Sequence, residues 1–179
     1  MALGTKHGEP WRVGIQHPRQ PGALATLPLH DGEAIGTSGD YQRFFELDGK
    51  RYCHLLDPRS AAPVTHTQSL TVLIRGGGQT GMRSDAGSKP LFVGGREAWR
   101  HLARKLEVAD ALRVDADGSI QVTRSLAGRL KFEAGVPSPE IIELNAGMIG
   151  ILLVTHGTYG EALIQNVCHV LNKRPSRIA

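Results

Sequence analysis

The dipeptide Asp48-Gly49 lies between Phe44-Phe45-Glu46-Leu47 and Lys50-Arg51-Tyr52-Cys53. Asp-Gly between two aromatic or apolar runs is a strong short-range hairpin signal. It predicts a strand, a tight turn and a second strand from Lys50 to Leu56, all inside the stretch Gly36 to Val64. A two-residue turn brings the two ends of that stretch to one edge of a sheet. Thr37-Ser38-Gly39-Asp40-Tyr41 enters it, and His54-Leu55-Leu56-Asp57-Pro58-Arg59 leaves it. Hydroxyl, carboxylate, imidazole and guanidinium groups would then converge on one place, with Gly39 allowing close backbone approach to a ligand.

The remaining elements follow from period and punctuation. Trp11 to Ile15 and Leu24 to Leu29 alternate as strands, Pro28 marking an edge or a strand end. Ser69 to Arg75 is a β-rich strand, and Gly76-Gly77-Gly78 after it is a flexible connection, without the lysine or spacing of a P-loop. Arg83 to Val93 reads as a helix with Pro90 as an obstacle, and Gly94-Gly95 breaks it. Arg96 to Leu106 is a second helix, with Trp99, Leu102, Ala103 and Leu106 at helical spacing and Trp99 as a core anchor. Ala111 to Val114 and Ile120 to Thr123 form a second hairpin. Its Asp115-Ala116-Asp117-Gly118 is a turn rather than a calcium loop, since the closing glutamate is missing. Arg129 to Phe132 is a last strand, and 135–147 is a linker. The expected fold class is α+β: an antiparallel sheet built on the 36–64 hairpin, packed by helices.

With 179 residues and a 40% hydrophobic share, the chain can bury an ordinary core. Its formal charge of +4 comes from scattered residues, so a nucleic-acid surface is not expected. Cys53 and Cys168 have no metal-ligand spacing and read as small buried groups. The first residues lack the apolar core of a signal peptide, and no apolar run is long enough to span a membrane. As it stands, the chain is expected in the cytoplasm.

The same stretch resembles the ApbE family, the FAD:protein FMN transferases. That family's pattern runs roughly A-T-S-G-D-Y and then D-G-K-R-Y-x-H-I-I-D-P-R-T-G-x-P. It stands here as Gly36 to Tyr41 and Asp48 to Pro63, with Ala61 in the place of a glycine. An alanine held at positive φ there would be strained by about 1 kcal/mol. Trp11 to Pro18 resembles the family's W-x-V-G-I-x-x-P stretch. The resemblance covers about Leu3 to about Glu133, the C-terminal half of the family, so a truncated member is expected, with domain bounds of 1–134. It implies transfer of FMN from FAD to a threonine or serine hydroxyl of an acceptor flavoprotein. It also implies binding of FAD near Thr37, Ser38, Gly39, Asp40, Asp57 and Arg59, and export of full-length relatives.

His54 falls on the family's catalytic histidine. Spacing alone leaves it either a base or a histidine bonded across the sheet. Asp57 either orients His54 or begins the turn at Pro58. Asp85 matches a metal-binding aspartate in the family's helical A-D-A-x-x-T-A pattern and so implies Mg²⁺. Lys89, however, replaces the threonine, and an ammonium there would pair with Asp85 and repel a divalent ion.

From Met148 the composition shifts. Met148 to Gly157, ending in Thr155-His156-Gly157, resembles the start of a mannose-type phosphotransferase-system enzyme IIA, whose phosphoryl acceptor falls on His156. A strand there and a helix from Tyr159 to Leu171 would make a single C-terminal βα unit over 148–179, too little to bury a sheet on both faces. Two other functional readings stand beside the transferase: a non-catalytic flavin-nucleotide binder, and a phosphocarrier fragment acting through His156.

Overall fold

Thr67-Gln68-Ser69-Leu70-Thr71-Val72-Leu73-Ile74 contains no glycine, proline or charge, and four of its residues are β-branched. Such a run suits a strand covered on both faces, and every one of its residues is buried. The rest of the molecule is layered around it. The computed structural model describes residues 1–144. Expectations for the strand and helix of 148–179, for His156 and for Cys168 lie outside the described residues.

In chain order the strands are β1 (Trp11–Gln16), β2 (Ala23–Leu29), β3 (Ala34–Gly39), β4 (Phe44–Leu47), β5 (Lys50–Cys53), β6 (Leu56–Asp57), β7 (Ala62–Pro63) and β8 (Thr67–Ile74). After helices α1 (Thr80–Val93) and α2 (Gly95–Lys105) come β9 (Asp110–Asp115), β10 (Ile120–Thr123), α3 (Arg124–Ala127), β11 (Lys131–Phe132) and β12 (Glu140–Ile142). The central sheet has the order β12-β10-β9-β8-β3, and all its pairs are antiparallel except β10 with β12. A second sheet has the order β1-β2-β11. The α+β class with antiparallel sheets and packed helices is thus observed.

Alternation along β8 sorts its side chains between two cores. Leu70, Val72 and Ile74 face α1 and α2, where Leu91, Phe92, Trp99 and Ala103 close the layer. Leu73 points the other way and meets Ile15, Leu24 and Leu27 of the second sheet. Trp99 is fully buried and its indole N–H donates to Gln121 Oε1 at 2.9 Å, so it is a core anchor.

Three expectations need correction. The central sheet is not built on the 36–64 hairpin: β4 and β5 form a separate two-stranded ribbon, and only β3 of that stretch joins the sheet, as its edge strand. All four residues of β4 are exposed, so the ribbon has no buried face with which to anchor a sheet. The first helix starts earlier than Arg83, at Thr80, and runs through Pro90. The proline sits in the last turns, and the carbonyl it leaves without a donor belongs to the exposed Ala86. Finally, the stretch read as a linker contains β12, which joins the sheet alongside β10, with Ile142 and Leu144 buried.

Candidate functional site

β3 and α1 are pressed together by small residues. A Cβ on Gly36 would lie 2.5 Å from the carbonyl oxygen of Ser84, so only glycine lets the strand run against the helix backbone. One strand period on, Ser38 and Ser88 share a buried hydrogen bond of 2.8 Å. Thr37 faces away from the helix and shares 2.9 Å with Thr71 on β8. Of the two hydroxyls expected to meet a ligand, Ser38 is therefore committed to holding the helix, and Thr37 is the exposed one.

At the end of β3 the backbone N–H of Asp40 donates to the Gln68 carbonyl. The Asp40 side chain is nearly buried and accepts from Arg19 on both oxygens, at 2.7 and 2.6 Å, with an Arg51 nitrogen at 3.9 Å. Sequence reasoning missed Arg19, which lies 21 residues away in the Pro18–Pro21 loop and carries no local sign of its partner. Gly39 is not open to a ligand. The ring of Tyr41 covers it, with Cε1 2.3 Å from where a Cβ would stand. Burial raises the Tyr41 phenol above its ordinary pKa.

The Asp48-Gly49 turn has φ of 50° and 72°, the doubly positive pair that a tight hairpin needs. Phe45 stacks on Tyr52 across the ribbon, and Arg51 lies over the Phe44 ring. Just past β5, His54 is exposed. Its backbone N–H donates to the Arg43 carbonyl, and its Nδ1 lies 3.2 Å from the same oxygen. A carbonyl can only accept, so Nδ1 is the donor in that bond. Arg43 and His54 thus pair at the open end of the ribbon.

Asp57 does not orient His54. Both its oxygens are taken by Arg59, through the backbone N–H at 2.9 Å, Nε at 3.0 Å and Nη2 at 2.7 Å. Those bonds hold its carboxyl down to about pKa 2, so turn-making is its observed role. β6 and β7 close this loop, and Ala61 within it has φ 54°, the left-handed conformation that glycine would take without strain. His66 follows, a residue not singled out from sequence. Its ring packs on Gly95 and its Nδ1 is 2.8 Å from Thr67 Oγ1.

Asp85 sits on the exposed side of α1, one residue past the Ser84 contact with Gly36. Its Oδ1 is 2.6 Å from Lys89 Nζ. No group of three His, Cys, Asp or Glu side chains that could hold a metal ion occurs among the described residues. A carboxylate already neutralised by an ammonium does not fit a divalent ion, so the Mg²⁺ implied at Asp85 finds no suitable donor set in these residues. No described helix is long and apolar enough to cross a membrane.

A profile of the ApbE family matches residues 1–113. An FAD:protein FMN transferase of Rhodobacter capsulatus is 39% identical over 140 residues, covering 78% of this chain and 26% of the relative. An Escherichia coli K12 protein of the same name is 37% identical over 100 residues, 55% of this chain and 27% of its own. Among solved structures, the ApbE protein of Thermotoga maritima superposes with a TM-score of 0.62 at 32% identity, over 70% of this chain and 40% of that one. The apo flavinyl transferase ApbE of Pseudomonas stutzeri gives 0.54 at 34%, over 74% and 40%. The chain belongs to the ApbE family. It spans about a quarter to two fifths of the length of these relatives.

Proposed function

We propose that this chain carries the proton-transfer side of an FAD:protein FMN transferase. The name of its relatives and the order of its motif support the reading. In that reaction a threonine or serine hydroxyl of an acceptor flavoprotein attacks the FMN phosphorus of FAD. The new P–O bond forms as the bond to AMP breaks, and AMP leaves with the electron pair of that bond. The attacking hydroxyl must lose its proton to a base held in place.

His54 is that base. The observation that carries the reading is its contact with the Arg43 carbonyl, which engages Nδ1 and turns Nε2 outward on an exposed ring. Thr37 lies exposed on the edge strand, and Arg59, paired with Asp57 but largely exposed, is available to the phosphates as a cation. Asp40 serves indirectly by holding Arg19 and Arg51 together at the strand's end.

The test is AMP release from FAD in the presence of an acceptor peptide carrying one threonine. With the remaining part of a full-length relative supplied, His54→Ala is expected to lose AMP release while keeping FAD bound. Full activity in His54→Ala removes the base. FAD binding without AMP release in the unaltered chain would favour a non-catalytic flavin-nucleotide binder instead.

A further inference from the structure

The two faces of the β4–β5 ribbon differ in what they touch. Register pairs Phe45 with Tyr52 and Leu47 with Lys50, and alternation puts these four side chains on one face. The other face carries Phe44, Glu46, Arg51 and Cys53. That second face is tied to the body of the protein: Cys53 is buried in the core with Val64, and an Arg51 nitrogen lies 3.9 Å from Asp40. The first face is turned outward. Phe45 is 60% exposed and Leu47 57%, and the Phe45 and Tyr52 rings stack with centres 5.1 Å apart. Lys50 stands at the turn end of this face, 5.4 Å from the Tyr52 ring centre, while Glu46 on the other face is engaged by Arg51 at 3.0 Å. A contiguous apolar face held outward on an anchored ribbon marks a contact surface.

The face does not stop where β5 does. The backbone bond from His54 to Arg43 continues the ribbon's register by one pair, so His54 follows Lys50 and Tyr52 at the strand period. Successive members of that row stand about 7 Å apart. An extended polypeptide has the same period. Laid along the row with a hydroxyl at His54, it puts its second neighbour over Phe45 and Tyr52 and its fourth beside Lys50. We propose that the outer face of the ribbon is the docking surface for the acceptor polypeptide. The segment lies along it extended, with its target hydroxyl at His54, an apolar side chain two residues away on the Phe45–Tyr52 pair, and a carboxylate four residues away at the Lys50 ammonium. The identity of that segment as an acceptor's target rests on the function proposed above. The docking of an extended apolar and acidic segment on the ribbon does not.

Fluorescence anisotropy of labelled synthetic peptides on the full chain, without flavin, tests this. Each peptide has a central threonine with leucine two places to either side. Four places to either side, one peptide has glutamate and the other lysine. The glutamate peptide should bind more tightly, and its affinity should fall about tenfold in Phe45→Ser, as for the loss of an aromatic anchor. Lys50→Glu should reverse the preference, so that the lysine peptide binds about threefold more tightly than the glutamate one. Both positions are exposed, so circular dichroism should show the fold retained. In the unaltered chain the glutamate peptide should move the amide signals of Phe45, Tyr52 and His54. The inference is overturned by no binding of either peptide, by equal affinity in Phe45→Ser, by an unchanged preference in Lys50→Glu, or by signals that move only elsewhere. A dimer of the unaltered chain that Phe45→Ser turns into a monomer also overturns it, since the face is then a self-contact. With the remaining part of a full-length relative supplied, peptide bound at the ribbon but no AMP released from FAD leaves this surface standing and sinks the transferase reading. AMP release onto the peptide that Phe45→Ser leaves unchanged does the reverse.

Discussion

Arg19 grips both carboxylate oxygens of Asp40, at 2.7 and 2.6 Å, across 21 residues of sequence. The pair clamps the loop after β1 to the end of β3 and so fixes where the hairpin departs. Asp40 is nearly buried and Arg19 about one third exposed. Removing one partner of a fully buried pair costs about 3–5 kcal/mol, but solvent screening at Arg19 reduces that. Arg51 at 3.9 Å also remains to Asp40. Arg19→Ala should therefore lower stability by about 1–2 kcal/mol. Arg19→Lys should recover less than half of the loss, since an ammonium cannot reproduce the two parallel bonds. Urea unfolding of the three chains measures both; an Arg19→Ala chain as stable as the original shows that the clamp carries no net energy.

Ala61 is the residue in this loop whose replacement by glycine should help. Its φ of 54° costs an L-residue about 1–2 kcal/mol. Glycine returns some of that through the extra freedom of the unfolded chain, about 0.4–1 kcal/mol. The net expectation for Ala61→Gly is a gain of about 0.5 kcal/mol, opposite in sign to most alanine-to-glycine changes. A melting temperature lowered by Ala61→Gly would mean that the loop relaxes the strain elsewhere.

Gly36 carries the reverse expectation. A methyl group there meets the Ser84 carbonyl at 2.5 Å, and the obstacle is helix backbone rather than a side chain that can turn away. Gly36→Ala should cost about 1–3 kcal/mol, typical of overpacking. It should also disturb the neighbouring Ser38–Ser88 bond, which amide exchange at Ser88 would report. Unchanged stability and exchange would show that α1 can withdraw from β3 freely.

Local chemistry made the ribbon legible. Asp48-Gly49 fixes a two-residue turn, and the observed register pairs Phe44 with Cys53 and Leu47 with Lys50 on either side of it. The helix–break–helix of α1 and α2 was visible through Gly94-Gly95 and the spacing of Trp99 and Ala103. What could not be read was decided by partners distant in sequence. β12 is three residues long, too short to show a period, and it exists because Glu140 to Ile142 lie beside Gln121 to Thr123. The commitment of Ser38 to Ser88, and of Asp40 to Arg19, depends on strand and helix meeting in space. Asp57 illustrates the limit from the other side. Sequence left it either orienting His54 or beginning the turn at Pro58, and its local Asp-x-Arg contact occupies both carboxylate oxygens.

His66 should make the fold sensitive to mild acid. The Thr67 hydroxyl donates its proton to the Phe92 carbonyl at 2.9 Å. Its oxygen can then only accept, from His66 Nδ1–H at 2.8 Å and from Arg113 Nη2 at 2.5 Å. The imidazole thus shares an acceptor with a buried guanidinium. Burial lowers the pKa of His66 below its ordinary 6.5, and the Arg113 charge adds to that, while Asp115 and Asp57 oppose it and Arg59 reinforces it weakly. The sign follows from linkage. Below about pH 6.5 the unfolded chain takes up the proton more readily than the folded one, so stability falls as pH drops through that value and levels off below the folded pKa. Urea midpoints at about pH 8 and about pH 5 should therefore differ more in the unaltered chain than in His66→Gln, whose amide can still donate to Thr67 without titrating. Other histidines titrate in both chains, so the difference between the two slopes isolates His66. Parallel slopes would show that the folded state accepts the His66 proton as readily as water does, and that Asp115 and Asp57 outweigh burial and Arg113.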